Sequence, residues 1–507
     1  MSYLASSSFL RPTERIGQGE MSGESESQSP HTPSIHVLDD DSLLNVFYLY
    51  RPFLSGEDDN DEDCFKGGEQ HWGEECWWYK LTHVCQRWQN LIFRSAYYLG
   101  LSLLCTKGTP VADMLTHSSW TSSLPLAIDY VEKYLPLAAE DEEGAILALK
   151  QQNRVRRIRL FMPAKNLQRF IDAIEEEYPI LESLIVLNRI KGNIRSLIFP
   201  ETLEAPHLHH LVLVGFALSI ASRLLTSAVG LVTLCLDIDH PSVYFHPDFL
   251  LQWLSFMPQL ESLMIGHFTA FPERRVERQT PVTLPNLHHF SFKGYSTYLE
   301  AFVHLITACP EKIEISFSDR RTLSIPRLLQ FMNTTWNLKF ESAKVKFSEW
   351  QSSVVVYPHG EAEMYALSVT VFSEFKFEWL LFYVAQVSNS FGQILSAVER
   401  LTLEREDEIG SQRAEEYWRN VDHNGVDPIK WRRLLSSFSN VKTLRIGNTF
   451  VEGVSRFLQL EDGELPLELL PELRELAYSG SGETGDGFNS FIDVRQKAGR
   501  PVALIRY

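Results

Sequence analysis

The chain has no apolar run long enough to cross a bilayer. A membrane span needs about 18 apolar residues, and the nearest stretch, Phe377 to Ala385, is far shorter and carries Glu378. Nor does the N-terminus hold the apolar core of a secretory signal. Cysteine is scarce: Cys64, Cys76, Cys85, Cys105, Cys235 and Cys309 make six in 507 residues, without regular spacing. Several sit in apolar runs, so they read as reduced core residues of an intracellular protein, and no disulfide is expected. Positive charge is also short. The net charge of −18 argues against nucleic acid and anionic membranes as principal partners, because both are held by clustered lysine and arginine. No phosphate-binding glycine loop, Gly-x-Ser-x-Gly elbow or His-Glu-x-x-His motif occurs, so catalysis has no visible seat and no cofactor is implied. These absences leave a non-enzymatic protein of the cytoplasm, the nucleus or both.

What is present is a mostly folded chain, since 44% of its residues are hydrophobic and 12% aromatic. Residues 1–33 are the exception: rich in Ser, Gly, Glu and Pro, they are expected to be disordered. The stretch from Trp77 to Phe93 predicts one short amphipathic helix with Leu81, Val84, Cys85, Trp88 and Leu91 or Ile92 on one stripe. Upstream, Ile35 to Phe47 predicts a second, with an aspartate as N-cap and Leu43, Leu44 and Phe47 as its apolar face. Two such helices cannot bury enough surface alone, so they must pack on the rest of the chain or on another protein. Between them, Ser55 to Glu75 is an acidic insertion. Its Cys64 and His71, with Cys76, lack the CxxC pair and fourth ligand of a zinc site.

From residue 96 onward the pattern L-x-x-L-x-L recurs. The well-formed copies begin at 155, 181, 208, 231, 260 and 287, steps of 26, 27, 23, 29 and 27, inside the roughly 20 to 29 of leucine-rich repeats. Degraded copies begin at 340, 364, 398, 441 and 473. Helical stretches lie between them: 167–177, 220–228, 248–256, 298–308, 325–333, 374–387 and 428–437, several ending at a proline. One strand and one helix per repeat imply an α/β solenoid over 96–507 with a curved parallel sheet, interrupted by a polar insertion from Arg405 to Val426. In each copy the residue between the last two apolar positions points away from the core. Those residues are Arg159, Ile185, Val212, Cys235, Met264, Ser291, Lys344, Ser368, Thr402 and Arg445. Apolar in the middle and polar or basic at the ends, the row suits a protein target with an apolar centre and acidic flanks, with Ile185, Val212, Met264, Ser291, Lys344 and Arg445 as target-binding candidates. His209-His210 and His288-His289 fill the two x positions of different copies, three repeats apart, and read as surface residues that cannot share a metal.

Residues 34–95 also carry a resemblance. Leu38 to Phe47, followed after the insertion by Val84-Cys85-Gln86-Arg87-Trp88 and then Leu99-Gly100-Leu101-Ser102-Leu103, resemble an F-box, specifically that of the large family of leucine-rich F-box proteins of mushroom-forming fungi. Asp39 stands where the family has proline and Gln86 where it usually has a basic residue. The resemblance implies a substrate-recognition adaptor of an SCF-type ubiquitin ligase. Its F-box would dock on a Skp-type adaptor, and through it on cullin, by way of Leu38, Leu43, Leu44, Phe47, Leu81, Val84, Cys85 and Trp88. The solenoid would hold an unidentified target. The alternative is a leucine-rich scaffold that delivers no substrate.

Overall fold

The computed structural model describes residues 38–50, 77–116, 124–132, 137–174, 176–188, 197–219, 221–237, 246–268, 280–318, 323–335, 340–359, 364–372, 377–406, 417–418, 421, 427–458, 469–479 and 487–507. The N-terminal tail 1–33, the acidic insertion 55–75 with Cys64 and His71, Cys76, and most of the 405–426 insertion lie outside them.

The fold is α/β. Sixteen strands form one sheet, which runs in chain order from Leu103–Thr106 to Lys312–Phe317. Leu367–Phe372, Gln351–Pro358 and Phe340–Phe347 then follow in reversed order, before Arg400–Arg405 resumes the sequence towards Ala503–Arg506. Every ladder is parallel except the two that flank Gln351–Pro358. The expectation of a wholly parallel sheet therefore fails at this strand, and the cause is the turn before it. Ser348 accepts on Oγ from the amides of Trp350 (3.4 Å) and Gln351 (3.2 Å), and its own amide donates to the Gln351 carbonyl at 2.8 Å. Three residues, Ser348 to Trp350, cannot carry the crossover that a parallel partner requires, so the chain must return antiparallel.

All eleven predicted repeat copies lie on strands of this sheet. Most of their first apolar positions, such as Leu181, Leu208 and Leu231, sit just before the strand and are fully buried, whereas Val155 and Phe340 open their strands and Met364 is exposed. The other two point from the strand into the same core. All seven predicted helical stretches contain a helix, from Ala164–Ile171 to Pro428–Leu435, with ends shifted by a few residues. Two of them start by one device. Pro247 and Pro428 open the helix with φ already set, and the preceding His246 or Asp427 side chain accepts an amide of the first turn. The helices bury Leu167, Phe170, Leu224, Leu250, Leu328 and Leu434 against one face of the sheet, in a single core with Leu160, Leu213, Ile265 and Leu403. The opposite face carries none of these helices.

The N-terminal unit packs on the end of this array. The predicted Trp77 to Phe93 helix is two helices, Trp77–Thr82 and Gln86–Arg94, broken where Cys85 is fully extended. Thr82 donates its hydroxyl to the Tyr79 carbonyl (2.7 Å), a bond that competes with helix continuation. The break rotates the stripe, so Trp78, Thr82, Trp88 and Ile92 are buried while Val84 turns outward. Asp39 caps the first helix, Asp40–Tyr50, by accepting the Ser42 amide at 2.7 Å. Leu43 and Phe47 meet Trp88, the Phe47 and Trp88 rings 4.8 Å apart edge to face. Gly100, at φ 65, makes the left-handed turn that returns Leu101 to the Ala96 carbonyl (2.8 Å) and leads the chain into the first strand. One continuous core runs from Leu43 to Val502.

Candidate interaction surfaces

The ten outward positions named from the repeats fall in one register row. Arg159 pairs with Ile185, then Val212, Cys235, Met264 and Ser291. Glu314, Ser368, Val355, Lys344, Thr402 and Arg445 continue it. Glu314 and Val355 belong to strands that the repeat pattern misses. All six target-binding candidates thus lie on the helix-free face, and along it the row divides into three regions.

The first is apolar. Leu187, Val212 and Cys235 form a small buried cluster, separate from the main core, with Phe161, Ile185, Val214 and Met264 packed around it. Phe161, Leu187 and Val214 occupy the next row. They were open to prediction, since residues two apart on a strand share a face. Among the described residues no helix covers the cluster, and its side chains shelter mainly one another.

The second region is a polar relay. Ser262 Oγ lies 3.2 Å from His289 Nδ1, and His289 Nε2 lies 3.6 Å from Glu314 Oε2. Tyr365 donates its hydroxyl to Glu314, and Lys312 Nζ approaches the same carboxylate at 3.0 Å while covering the Tyr365 ring at 4.7 Å. Burial pushes the Glu314 carboxyl up, but His289, Tyr365 and Lys312 more than offset it and hold the group at about 2. His289 is therefore buried rather than a surface residue, whereas His209, His210 and His288 are exposed. His210 and His289 stand three strands apart, as the spacing requires. Serine, histidine and glutamate together suggest a nucleophilic relay. Here, however, the carboxylate is shared with tyrosine and lysine, and the strand amides beside Ser262 are committed to parallel ladders. Among the described residues no pair of free strand amides is left at that place to hold a tetrahedral oxyanion.

The third region is a cavity of about 350 Å³ lined by Glu341, Lys344, Tyr357, Arg400, Thr402 and Arg445, among others. Arg400 pairs with Glu341 at 2.9 Å and Lys344 with Glu404 at 3.7 Å. Arg445 and Lys346, which project on the same face, form no ion pair among the described residues.

The N-terminal unit offers a different surface. Of the residues implied as adaptor contacts, Leu43, Phe47 and Trp88 are buried in its own core, and Leu44, Leu81 and Cys85 are half-buried. Leu38 and Val84 are exposed, Val84 at 56%. On the same unit Val46, Leu49, Tyr50 and Tyr79 are also exposed, Leu49 at 78%. On Asp40–Tyr50 this outward set alternates with the inward pair Leu43 and Phe47.

Among the described residues no helix is long and apolar enough to cross a membrane, and no group of three or more His, Cys, Asp or Glu is placed to hold a metal ion. No protein-family model, curated protein or solved structure matches the chain.

Proposed function

We propose that this chain is a substrate-recognition adaptor of an SCF-type ubiquitin ligase, in which the N-terminal helical unit docks on a Skp-type adaptor and the helix-free face of a leucine-rich-repeat-like array holds the target. The observation that carries it is the group of apolar side chains left uncovered on the N-terminal unit: Leu38, Val46, Leu49, Tyr50 and Val84. Val84 belongs to the Val84-Cys85-Gln86-Arg87-Trp88 segment that carries the F-box resemblance, and the Leu38 carbonyl accepts from Arg87 of the same segment. Isolated exposed apolar residues are ordinary, but several on one small unit indicate a surface that a partner covers. In this arrangement Leu43, Phe47 and Trp88 act by holding the helices in place, and the exposed set makes the contact.

The test is copurification of the full chain with a recombinant Skp-type adaptor and cullin. The wild-type chain is expected to bring down both, and Val84→Asp combined with Leu49→Asp to lose them while keeping its circular dichroism. Absence of adaptor from the wild-type sample would refute the proposal. Cullin recovery without ubiquitination of any bound protein would favour a scaffold that delivers no substrate.

A further inference from the structure

The chain carries a strong negative excess, −18 overall, yet one part of the helix-free face is cationic. Over Phe340–Phe347, Arg400–Arg405 and Thr443–Ile446, the residues Lys344, Lys346, Arg400 and Arg445 gather around the cavity. Among the carboxylates on this face, Glu341 and Glu404 are engaged by Arg400 and Lys344, Glu406 accepts from Gln351, and Glu475 stands level with Thr443 at the edge; of these only Glu341 lines the cavity. The cavity lining itself thus carries Lys344, Arg400 and Arg445 against the single carboxylate of Glu341, and Arg445 forms no ion pair among the described residues. Thr402 adds a hydroxyl to the floor and Tyr357 an aromatic wall, with Lys344 5.6 Å over its ring. A volume of about 350 Å³ admits a side chain or a small anion.

We infer that this cavity binds the carboxylate of an acidic side chain in an extended segment of a partner protein, whose apolar residue rests on the cluster around Val212 and Cys235. Charge complementarity selects the anion. Arg445 offers a planar guanidinium fork for a carboxylate, and Lys344 a second cation from the opposite wall. The row supplies the ruler. Five strand steps separate Met264, at the edge of the apolar cluster, from Lys344; at about 4.8 Å per step this is roughly 24 Å, or about seven residues of extended chain. Between the two ends stands Glu314, already matched by Lys312 at 3.0 Å, so this stretch offers no spare cation to a second carboxylate and suits a hydroxyl, amide or amine. The occupant therefore reads apolar, then neutral or basic, then acidic. The inference deepens the role proposed above for this face as the target-holding surface, but it concerns binding alone and stands whether or not the chain docks on a Skp-type adaptor.

The experiment is selection of a displayed library of random 16-residue peptides on the full-length chain, followed by affinity measurement with the synthetic winners. The wild-type chain should enrich peptides that carry Asp or Glu about six to nine residues from a Leu, Met or Phe. Arg445→Glu with Lys344→Glu should weaken those peptides at least tenfold while circular dichroism and cooperative melting show the chain still folded, and Val212→Asp should weaken the same peptides through their apolar end. Arg445→Lys, which keeps the charge but loses the fork, should fall between. If no acidic peptide is enriched, or if acidic winners bind the double charge-reversal variant equally well, the inference is overturned. Inorganic phosphate provides a further arm at ionic strength matched with chloride. Phosphate binding at millimolar concentration without acidic-peptide enrichment would make the cavity a site for free anions and would likewise overturn it. Copurification with the adaptor, measured on the same proteins, reports separately on the ligase assignment.

Discussion

Arg87 reaches across 47 residues of sequence to Asp40, donating to the carboxylate from Nη2 at 2.7 Å and Nε at 3.0 Å, and also to the Leu38 carbonyl at 2.7 Å. The arginine of the Val84–Trp88 segment thus ties down the start of the first helix rather than facing a partner. Both side chains are well exposed, so the ion pair contributes about 0.2 to 1 kcal/mol. Arg87→Ala should lower the stability of the N-terminal unit by about 1 kcal/mol, and Asp40→Asn by less, because the bond to Leu38 survives it. Urea unfolding followed by tryptophan fluorescence checks both.

Val84 and Trp88 lie four residues apart but do different jobs. Trp88→Ala removes a buried ring packed on Phe47 and should cost about 3 to 5 kcal/mol, abolishing adaptor binding by loosening the unit. Val84→Asp changes an exposed residue and should move stability by no more than about 0.5 kcal/mol while removing the adaptor. If Val84→Asp unfolds the unit, or leaves adaptor affinity intact, that division is wrong.

Glu314 predicts a pH dependence. Its carboxyl is held at about 2 in the folded chain against 4.5 for an unperturbed one, so the unfolded state binds the proton more readily. A depressed folded value contributes stability that is complete above 4.5 and is lost as pH falls from there towards 2. Glu314→Gln should therefore be less stable than wild type at neutral pH, and the gap in melting temperature should close between pH 4.5 and 2. A gap that stays constant across this window would mean that Glu314 contributes through packing alone.

Thiol reactivity should separate the described cysteines by burial. Cys105 is fully buried, and burial raises its thiol to about 12, so it should resist iodoacetamide in the folded chain. Cys235 is shielded in the apolar cluster, whereas Cys309 is exposed. Mass spectrometry after brief native labelling should find the label on Cys309 well before Cys235 or Cys105.

Arg495 is fully buried, and its guanidinium donates to the carbonyls of Leu469, Leu470, Pro471 and Leu473 at 3.2 to 3.3 Å. A lysine has the charge but not the planar spread of donors, and would leave carbonyls unmet at a cost of about 1 to 3 kcal/mol each. Arg495→Lys should release the last strand, Ala503–Arg506, which pairs with Glu475–Tyr478. Faster hydrogen exchange at Ala503 and Ile505, with the 103–317 strands unchanged, is the expected result.

Eleven of the sixteen strands are legible because each keeps three apolar residues at fixed spacing, and all of those residues but the exposed Met364 are in the core. Lys312–Phe317 escapes because Pro310 occupies the first apolar position ahead of Ile313 and Ile315. Gln351–Pro358 escapes because four consecutive residues from Val354 to Tyr357 are buried, which erases the alternation. The outward row is legible for the same reason as the core: on a strand, fixing one face fixes the other. The cavity is not. Glu341, Tyr357 and Arg400 come together there only because the chain doubles back between 340 and 372. The break at Cys85 is also invisible to periodicity, since the apolar spacing continues through it while the backbone does not.

The reversed order of strands after Lys312–Phe317 also sets a schedule for synthesis. That strand finds its next neighbour not in the following strand but in Leu367–Phe372, roughly fifty-five residues later. While the chain emerges from the ribosome at about 5 to 20 residues per second, the edge of the first nine strands stays unpaired for about 3 to 11 seconds. An uncovered parallel edge is a template for any other extended chain. Nascent chains halted before residue 372 should therefore be the aggregation-prone and chaperone-bound species, and those halted just beyond it should be released.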